Sequence, residues 1–191
     1  MVRRRKMVRT FVDKPVEADV LRLILEQGQR APSAGYTQGF EFLVLEGAEQ
    51  TGRFWEVTSG DRSVLEGVRP APVLIVPLAS KKAYLDRYAE EDKGWEDRDE
   101  SRWPMPFWYT DAAFATMLIL LSAVDEGLGA LFFGLFPPTL QAFRTAFGIP
   151  DEWEPIGGIA LGHPAPVDPV KSSAHTRSRI PLSEIVHRGR W

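Results

Sequence analysis

Residues 112–124 have the sequence AAFATMLILLSAV, a run without a single charged side chain. The run is too short to cross a bilayer, which needs about 20 apolar residues in a helix. Its composition is typical of a helix that is buried on every side. Asp111 is predicted to be the N-cap of this helix, which would span residues 112–126, and Gly127 is a suitable C′ residue. We therefore expect an apolar helix at the centre of the fold.

Further helices and strands are predicted on both sides of this helix. Helices are expected at 15–30, at 48–57, and from Pro138 to Phe147, where proline suits the first helical position. Strands are expected at 40–45, 72–77, 130–133 and 156–162, and the second of these is wholly apolar and lies between two prolines. Residues 81–102 are dense in charged and aromatic side chains, and no element is predicted there.

This order of elements indicates an α+β fold in which helices cover one sheet, with a single domain over residues 1–191. The central helix is more apolar than a surface helix of a lone domain should be. We therefore expect two subunits of a homodimer to share it. A monomer with one well-buried central helix is the alternative.

Composition excludes several classes of function. The formal net charge of −3 gives no reason to expect nucleic acid or an anionic membrane as a partner. The chain has no cysteine, which excludes disulfides, thiolate catalysis and cysteine-ligated zinc or iron–sulfur centres. It also suits a reducing compartment, and no apolar run of signal-peptide length follows the basic start of the chain. A cytoplasmic location is expected.

The common catalytic motifs are incomplete. None of His163, His175 and His187 has a metal-ligand partner three or four positions away, so no metal site is predicted. Residues 60–64, GDRSV, lack the second flanking glycine of a hydrolase elbow. Residues 127–132, GLGALF, lack the third glycine of a dinucleotide fingerprint and precede a strand instead of following one.

Basic residues are concentrated at the two ends of the chain. They are Arg3, Arg4, Arg5, Lys6 and Arg9 at the start, and Arg177, Arg179, Arg188 and Arg190 at the finish. Because domain termini are often close together, both groups could converge on one phosphate, to which the planar, permanently charged arginine side chain is suited. A merely solvated basic terminus is the alternative.

Five blocks of the sequence together resemble the nitroreductase family. Residues 5–11 (RKMVRTF) and 31–42 (APSAGYTQGFEF) are similar to its typical openings, R-R-S-x-R-x-F and A-P-S-x-x-N-x-Q-P-W-x-F. The other blocks are residues 125–129 with Gly134, residues 147–150 with 156–164, and residues 177–182. One block alone would be weak evidence, but five in the right order are specific. The resemblance covers most of the chain and is weakest over 46–110.

The resemblance implies a nitroreductase-like fold with a central, mostly antiparallel sheet, and a homodimer with two FMN sites at its interface. By position, Arg5, Lys6, Met7, Arg9, Arg177 and Arg179 would surround the FMN phosphate. Pro32, Ser33 and Gln38 would approach the flavin, supplied by the other subunit. The backbone around Phe133 and Gly134 would offer an N–H to the flavin N5. Glycine there would let backbone approach the ring, although a strand-end turn before Pro137 also explains it.

Three positions depart from the family pattern. Met7 replaces a serine, Tyr36 replaces an asparagine, and Gly39-Phe40 replaces Pro-Trp. These departures affect the ring contacts and the substrate pocket more than the basic cluster. The aromatic run at 102–109, RWPMPFWY, could wall that pocket through Phe107 and Trp108, together with Tyr36, or could pack against the partner subunit.

The resemblance implies an enzyme that transfers hydride from NAD(P)H to a planar acceptor by a ping-pong mechanism. Nitroaromatics, quinones and flavins are the expected acceptors. No catalytic side chain is required, because the flavin N5 carries the chemistry. The alternatives are a flavin-binding protein without turnover that serves storage or sensing, another flavin reaction such as dehalogenation, and a flavin-free structural dimer.

Overall fold

The computed structural model describes residues 1–58, 63–137, 139–167, 173 and 176–191. Its strands are β1 (Phe40–Glu46), β2 (Val73–Ala79), β3 (Gly129–Phe133), β4 (Glu154–Pro155) and β5 (Gly158–Gly162). Its α-helices are α1 (Ala18–Gln29), α2 (Gly47–Thr58), α3 (Lys81–Tyr88), α4 (Phe107–Asp125), α5 (Thr139–Phe147) and α6 (Leu182–Ile185). Short 3₁₀ turns occupy Ala34–Tyr36, Ser63–Val68 and Glu100–Arg102.

One sheet forms the centre of the fold. The strand order is β1-β2-β5-β3, every named pair is antiparallel, and β4 pairs with the end of β2. All seven residues of β2 are buried. Leu74, Val76 and Leu78 belong to the core beneath α2 and α5, whereas Val73 and Ile75 belong to the core beneath α1 and α4. The predicted α+β fold with a helix-covered sheet is confirmed.

The strand predictions are close to the observed bounds, with one exception. The strand predicted at 156–162 begins only at Gly158, and the preceding Glu154 and Pro155 form β4 instead. Ile156 and Gly157 lie between β4 and β5. Gly157 packs closely against the ring of Phe132, from which an added Cβ would lie only 2.5 Å away.

Two helix predictions are corrected. The first helix begins at Ala18, not Pro15, because Glu17 is extended and acts as the N-cap. The charged stretch at 81–102, where no element was predicted, contains α3. Ser80 caps this helix, and its Oγ accepts a hydrogen bond from the backbone N–H of Ala83 at 3.2 Å. The predicted helix starting at Pro138 ends at Phe147 as expected, while Pro138 itself lies outside the described residues.

The central helix α4 is longer than predicted. It begins at Phe107, so the predicted N-cap role of Asp111 is wrong, and Asp111 lies inside the helix. Within the added turn, Trp108 is buried and packs in one cluster with Tyr84 and Ala112. The predicted role of Gly127 is confirmed by its φ of +74° and by the 2.8 Å bond from Leu128 N to Ala123 O, a typical C-terminal capping geometry.

At 19 residues, α4 is long and apolar enough to cross a membrane by length and composition alone. Half of its most apolar window is buried inside the chain, however, against α1 and the sheet. This is the packing of a core helix. The opposite side carries an apolar stripe in which Phe114 and Met117 are exposed and Leu118 and Leu121 are half-buried.

Candidate active site

The start of the chain lies against β3. The backbone N–H of Val8 donates to Ala130 O at 3.1 Å, and Met7 forms a parallel bridge with Ala130. Val8 and Phe11 point into the core beneath α2 and α5. A Cβ on Gly129 would lie 2.8 Å from Val8 Cγ2, so glycine is needed for this close approach. The basic residues beside Val8 are therefore held on the edge of the sheet.

Among these basic residues, Arg5 has a buried donor without a partner. Its Nη1 is buried and makes no hydrogen bond within the part of the chain that the structure describes. Leaving a charged donor unsatisfied is costly, so a site of this kind favours an anion such as a phosphate. Arg9 is half-buried and donates from Nη1 to Met7 O at 3.2 Å, whereas Lys6 is exposed. Arg4 differs from Arg5, since it forms a surface ion pair with Asp125 at 3.3 Å.

Phe133 and Gly134 lie at the end of β3. The Phe133 ring stacks on Trp55, with ring centroids 5.6 Å apart. A Cβ on Gly134 would lie 2.8 Å from the ring of Phe136. Packing against Phe136 is thus one reason for glycine at this position. The predicted approach of its backbone to a flavin ring is a second reason.

The loop between α1 and β1 exposes three of the predicted site residues. Pro32, Tyr36 and Gln38 are exposed and Ser33 is half-buried. Gly35, Tyr36 and Gln38 have φ values of +61°, +54° and +53°, and such values are uncommon for residues other than glycine. Ser33 Oγ accepts the backbone N–H of Gln38 at 2.8 Å, which closes the loop on itself.

Side chains of α3 and α4 form hydrogen bonds with the backbone of this loop. Asp111 of α4 accepts at Oδ2 from the backbone N–H of Ala34 at 2.8 Å and from the Tyr84 hydroxyl at 2.7 Å. Arg87 of α3 donates from Nε to Gly35 O at 3.1 Å. Burial, and then the bond to Asp111, raise the pKa of the Tyr84 hydroxyl, so it stays a donor. Sequence reasoning missed Asp111 as a site residue because it resembled an N-cap.

The aromatic run before and within α4 is divided between core and surface. Trp108 is only 4% exposed and packs edge-on against Trp103, with centroids 6.2 Å apart. Phe107 is half-buried, and its ring centroid lies 5.7 Å from that of Trp103. Beside them lies an open groove of about 490 Å³, where the Tyr109 hydroxyl donates to Glu154. Of the predicted pocket residues, Tyr36 is the most exposed, at 76%.

The remaining predicted residues lie on the C-terminal tail or outside the described residues. Arg177 and Arg179 are exposed, and Arg177 N donates to Ser173 O within the tail. His175, and residues 60–62 of the incomplete elbow, lie outside the described residues. Within the described ranges, no three His, Cys, Asp or Glu residues are grouped so that they could hold a metal ion.

This arrangement belongs to a known group of proteins. The family model of the nitroreductase family matches residues 2–61 and 59–163. The chain belongs to the nitroreductase family. The match includes the N-terminal basic segment, the loop between α1 and β1, and β3, and it ends before Arg177 and Arg179.

Individual relatives agree with this membership. An NADPH-dependent oxidoreductase of Staphylococcus aureus is 27% identical over 192 residues, which span all of this chain and 72% of that protein. A protein of Desulfovibrio desulfuricans, assigned to the nitroreductases and solved in complex with FMN, is 27% identical with a TM-score of 0.71. That alignment covers 100% of this chain and 95% of the other. A nitroreductase family protein of Clostridium difficile has a TM-score of 0.72 at 24% identity, with 100% and 96% covered.

The predicted family, fold and enzyme class are therefore confirmed. As a nitroreductase family member, the chain is an oxidoreductase that uses FMN and takes electrons from NAD(P)H. The Nη1 of Arg5, which is buried without a partner in the described ranges, fits such a phosphate-bearing cofactor.

Proposed function

We propose that this nitroreductase passes electrons from NAD(P)H to a planar organic acceptor, such as a nitroaromatic, a quinone or a free flavin. It would work as a cytoplasmic homodimer with two FMN sites. The observation that carries the proposal is the Nη1 of Arg5, which is buried and has no hydrogen-bond partner among the described residues. Arg5 belongs to a segment that is hydrogen-bonded to β3. That position is where the family resemblance expects the FMN phosphate.

The N-terminal segment supplies most of the proposed phosphate site. Arg5 and Arg9 would donate to the phosphate, with Lys6 adding positive charge from the surface. Met7 cannot donate as the usual serine does, and its carbonyl instead accepts from Arg9. Arg177 and Arg179 would complete the site from the C-terminal tail. Guanidinium groups suit this role because they stay charged and present several donors to phosphate oxygens.

The loop around Tyr36 is proposed to face the flavin of the partner subunit. Its support is the exposure of Pro32, Tyr36 and Gln38 on a loop of fixed shape. The exposed Phe114 and Met117 on α4 support a dimer, because monomers rarely leave an apolar stripe open to water. Contact along this stripe would bury α4 between two subunits.

FMN, when bound, supplies the hydride chemistry, and the chain supplies position, positive charge and backbone donors. The backbone near Phe133 and Gly134 would donate to the ring, and Tyr36 would border the space in which donor and acceptor lie in turn. No side chain of the proposed site needs to act as an acid or base. A ping-pong order follows from the use of one open face by both substrates.

The absorption spectrum of the purified protein under anaerobic conditions tests this proposal. We expect a flavin spectrum that bleaches on addition of NADH or NADPH and returns when a quinone or nitroaromatic compound is added. Mass spectrometry should identify the released cofactor as FMN. Colourless protein, released FAD, or a flavin that neither donor bleaches would contradict the proposal.

A further inference from the structure

Asp111 is a buried carboxylate to which the proposed chemistry gives no role. It is 2% exposed and lies inside α4, where no lysine or arginine of the described chain forms an ion pair with it. The Ala34 backbone N–H and the Tyr84 hydroxyl, both neutral donors, donate to its Oδ2. Burying a charge without a cation is costly. Such a residue needs a reason beyond packing.

The loop that Asp111 holds has a conformation that it would not adopt alone. Tyr36 and Gln38 have backbone φ values in the left-handed region, where residues other than glycine are strained. Such a conformation persists only where surrounding groups enforce it. The Tyr36 ring is largely exposed, so its own packing does not explain its placement.

Asp111 and Tyr84 together fix both ends of the loop. The carboxylate holds the backbone N–H of Ala34, where the turn begins. The Tyr84 ring lies against Gly39, where the loop enters β1, and a Cβ on Gly39 would come within 2.5 Å of it. The Asp111–Tyr84 hydrogen bond joins these two anchors through the core. The loop is thus clamped across residues 34–39.

We propose that Asp111 is a positioning residue for flavin binding: through Ala34 and Tyr84 it holds the loop of residues 32–38 in the shape that meets the flavin ring. This inference rests on the proposed function, in which that loop faces the ring. The phosphate site is built from other residues. Loss of Asp111 should therefore weaken the binding of FMN and the binding of riboflavin, which lacks the phosphate, by the same factor.

The test compares four variants of the full chain. Asp111→Leu removes both hydrogen bonds at similar volume, and Asp111→Asn keeps an oxygen that can accept them. Ala34→Pro removes the N–H donor from the half-buried Ala34, and the preceding Ser33 is already extended (φ −141°, ψ 145°) as a proline requires. Thr116→Val is the matched control, since Thr116 is a buried polar residue of α4 whose hydroxyl donates to Ala112 O of its own helix.

Flavin titration and amide exchange of residues 31–39 are measured on each flavin-free variant. We expect Asp111→Leu and Ala34→Pro to lose about tenfold or more affinity for both FMN and riboflavin, equivalent to about 1.4 kcal/mol. Faster exchange of the loop amides should accompany this loss in Asp111→Leu. Asp111→Asn should restore most of the affinity, and Thr116→Val should bind both flavins as wild type does.

The possible failures are separable. Riboflavin affinity equal to that of wild type in Asp111→Leu or in Ala34→Pro contradicts the positioning role while leaving the proposed function intact. If Asp111→Leu does not fold, the flavin affinities of Ala34→Pro alone test the positioning role. A wild-type protein that binds neither flavin contradicts the proposed function, and the positioning role with it. Loss of FMN affinity without loss of riboflavin affinity would assign Asp111 to the phosphate site instead.

Discussion

The backbone N–H of Val8 lies 3.1 Å from the carbonyl oxygen of Ala130 and donates to it. This bond ties the start of the chain to β3, and the parallel bridge at Met7 sets the direction of the segment. Arg5 and Arg9 consequently flank a fixed point of the sheet. The basic segment is therefore held against the sheet, as the proposed phosphate site requires.

The close approach at Gly129 can be tested directly. In Gly129→Ala the new Cβ meets Val8 at 2.8–3.1 Å on three of its carbon atoms, so the N-terminal segment must shift. We expect weaker FMN binding and lower stability to urea. The control is Gly52→Ala in α2, where an added Cβ would meet no side chain or other segment within 4 Å. This variant should gain up to about 1 kcal/mol of stability. Unchanged FMN affinity in Gly129→Ala would show that docking of the segment is irrelevant to the cofactor.

The apolar stripe on α4 predicts the oligomeric state. We expect a homodimer, about twice the chain mass of 21.5 kDa, because Phe114 and Met117 would otherwise face water. Met117→Lys should give monomers and lose FMN. Met105→Lys is the matched control, since both methionines are similarly exposed (45% for Met105, 44% for Met117) but Met105 lies off the stripe. Light scattering that finds wild-type monomers at micromolar concentration would refute the dimer.

The two aromatic residues Tyr36 and Trp108 should respond differently to truncation. Trp108 is buried among rings, so Trp108→Ala should reduce the free energy of unfolding by about 3–5 kcal/mol. Tyr36 is exposed, so Tyr36→Ala should leave stability almost unchanged and alter the ratio of kcat/KM between a quinone and a nitroaromatic acceptor. The measurements are urea unfolding and steady-state kinetics. An unaltered ratio in Tyr36→Ala would exclude this ring from the acceptor pocket.

Tyr84 should give the protein an alkaline limit to its stability. The hydroxyl ionises near pH 10 in the unfolded chain, whereas burial and the bond to Asp111 raise its pKa in the folded chain. Its contribution is therefore complete below about pH 10 and is lost as the pH rises toward the folded-state pKa. Above about pH 10, the wild-type unfolding free energy should fall more steeply than that of Tyr84→Phe. Parallel curves would contradict the raised pKa.

Much of the sheet could be predicted from the sequence, because β2 is apolar at every position. A strand covered on both faces needs no alternation, and its prediction at 72–77 differs from the observed Val73–Ala79 only at its ends. The start of α4 could not be predicted, since Asp111 resembles an N-cap locally. Its real partners, Ala34 and Tyr84, lie 77 and 27 positions away.

The candidate site was predictable in composition but not in shape. The basic residues and the residues of the loop stand in recognisable blocks, and the blocks resemble a family. No local signal places Tyr36 and Gln38 at positive φ, because contacts from distant helices at Ala34 and Gly35 help to fix the loop. The family resemblance selects Arg5 and not Arg4, but the sequence gives no physical reason for the difference. The fold pairs Arg4 with Asp125 and leaves the Nη1 of Arg5 buried without a partner among the described residues.

Arg4 and Arg5 together provide the most direct test of the proposed cofactor site. Arg5→Ala and Arg4→Ala are titrated with FMN and with riboflavin, and Arg179→Ala extends the comparison to the other end of the chain. Removing one charge-assisted contact, worth about 1.5–3 kcal/mol, should weaken FMN binding of Arg5→Ala by about tenfold or more. Its riboflavin affinity should stay unchanged, Arg179→Ala should behave alike, and Arg4→Ala should bind both flavins as wild type does. Wild-type FMN affinity in Arg5→Ala would contradict the assignment of the N-terminal segment as the phosphate site.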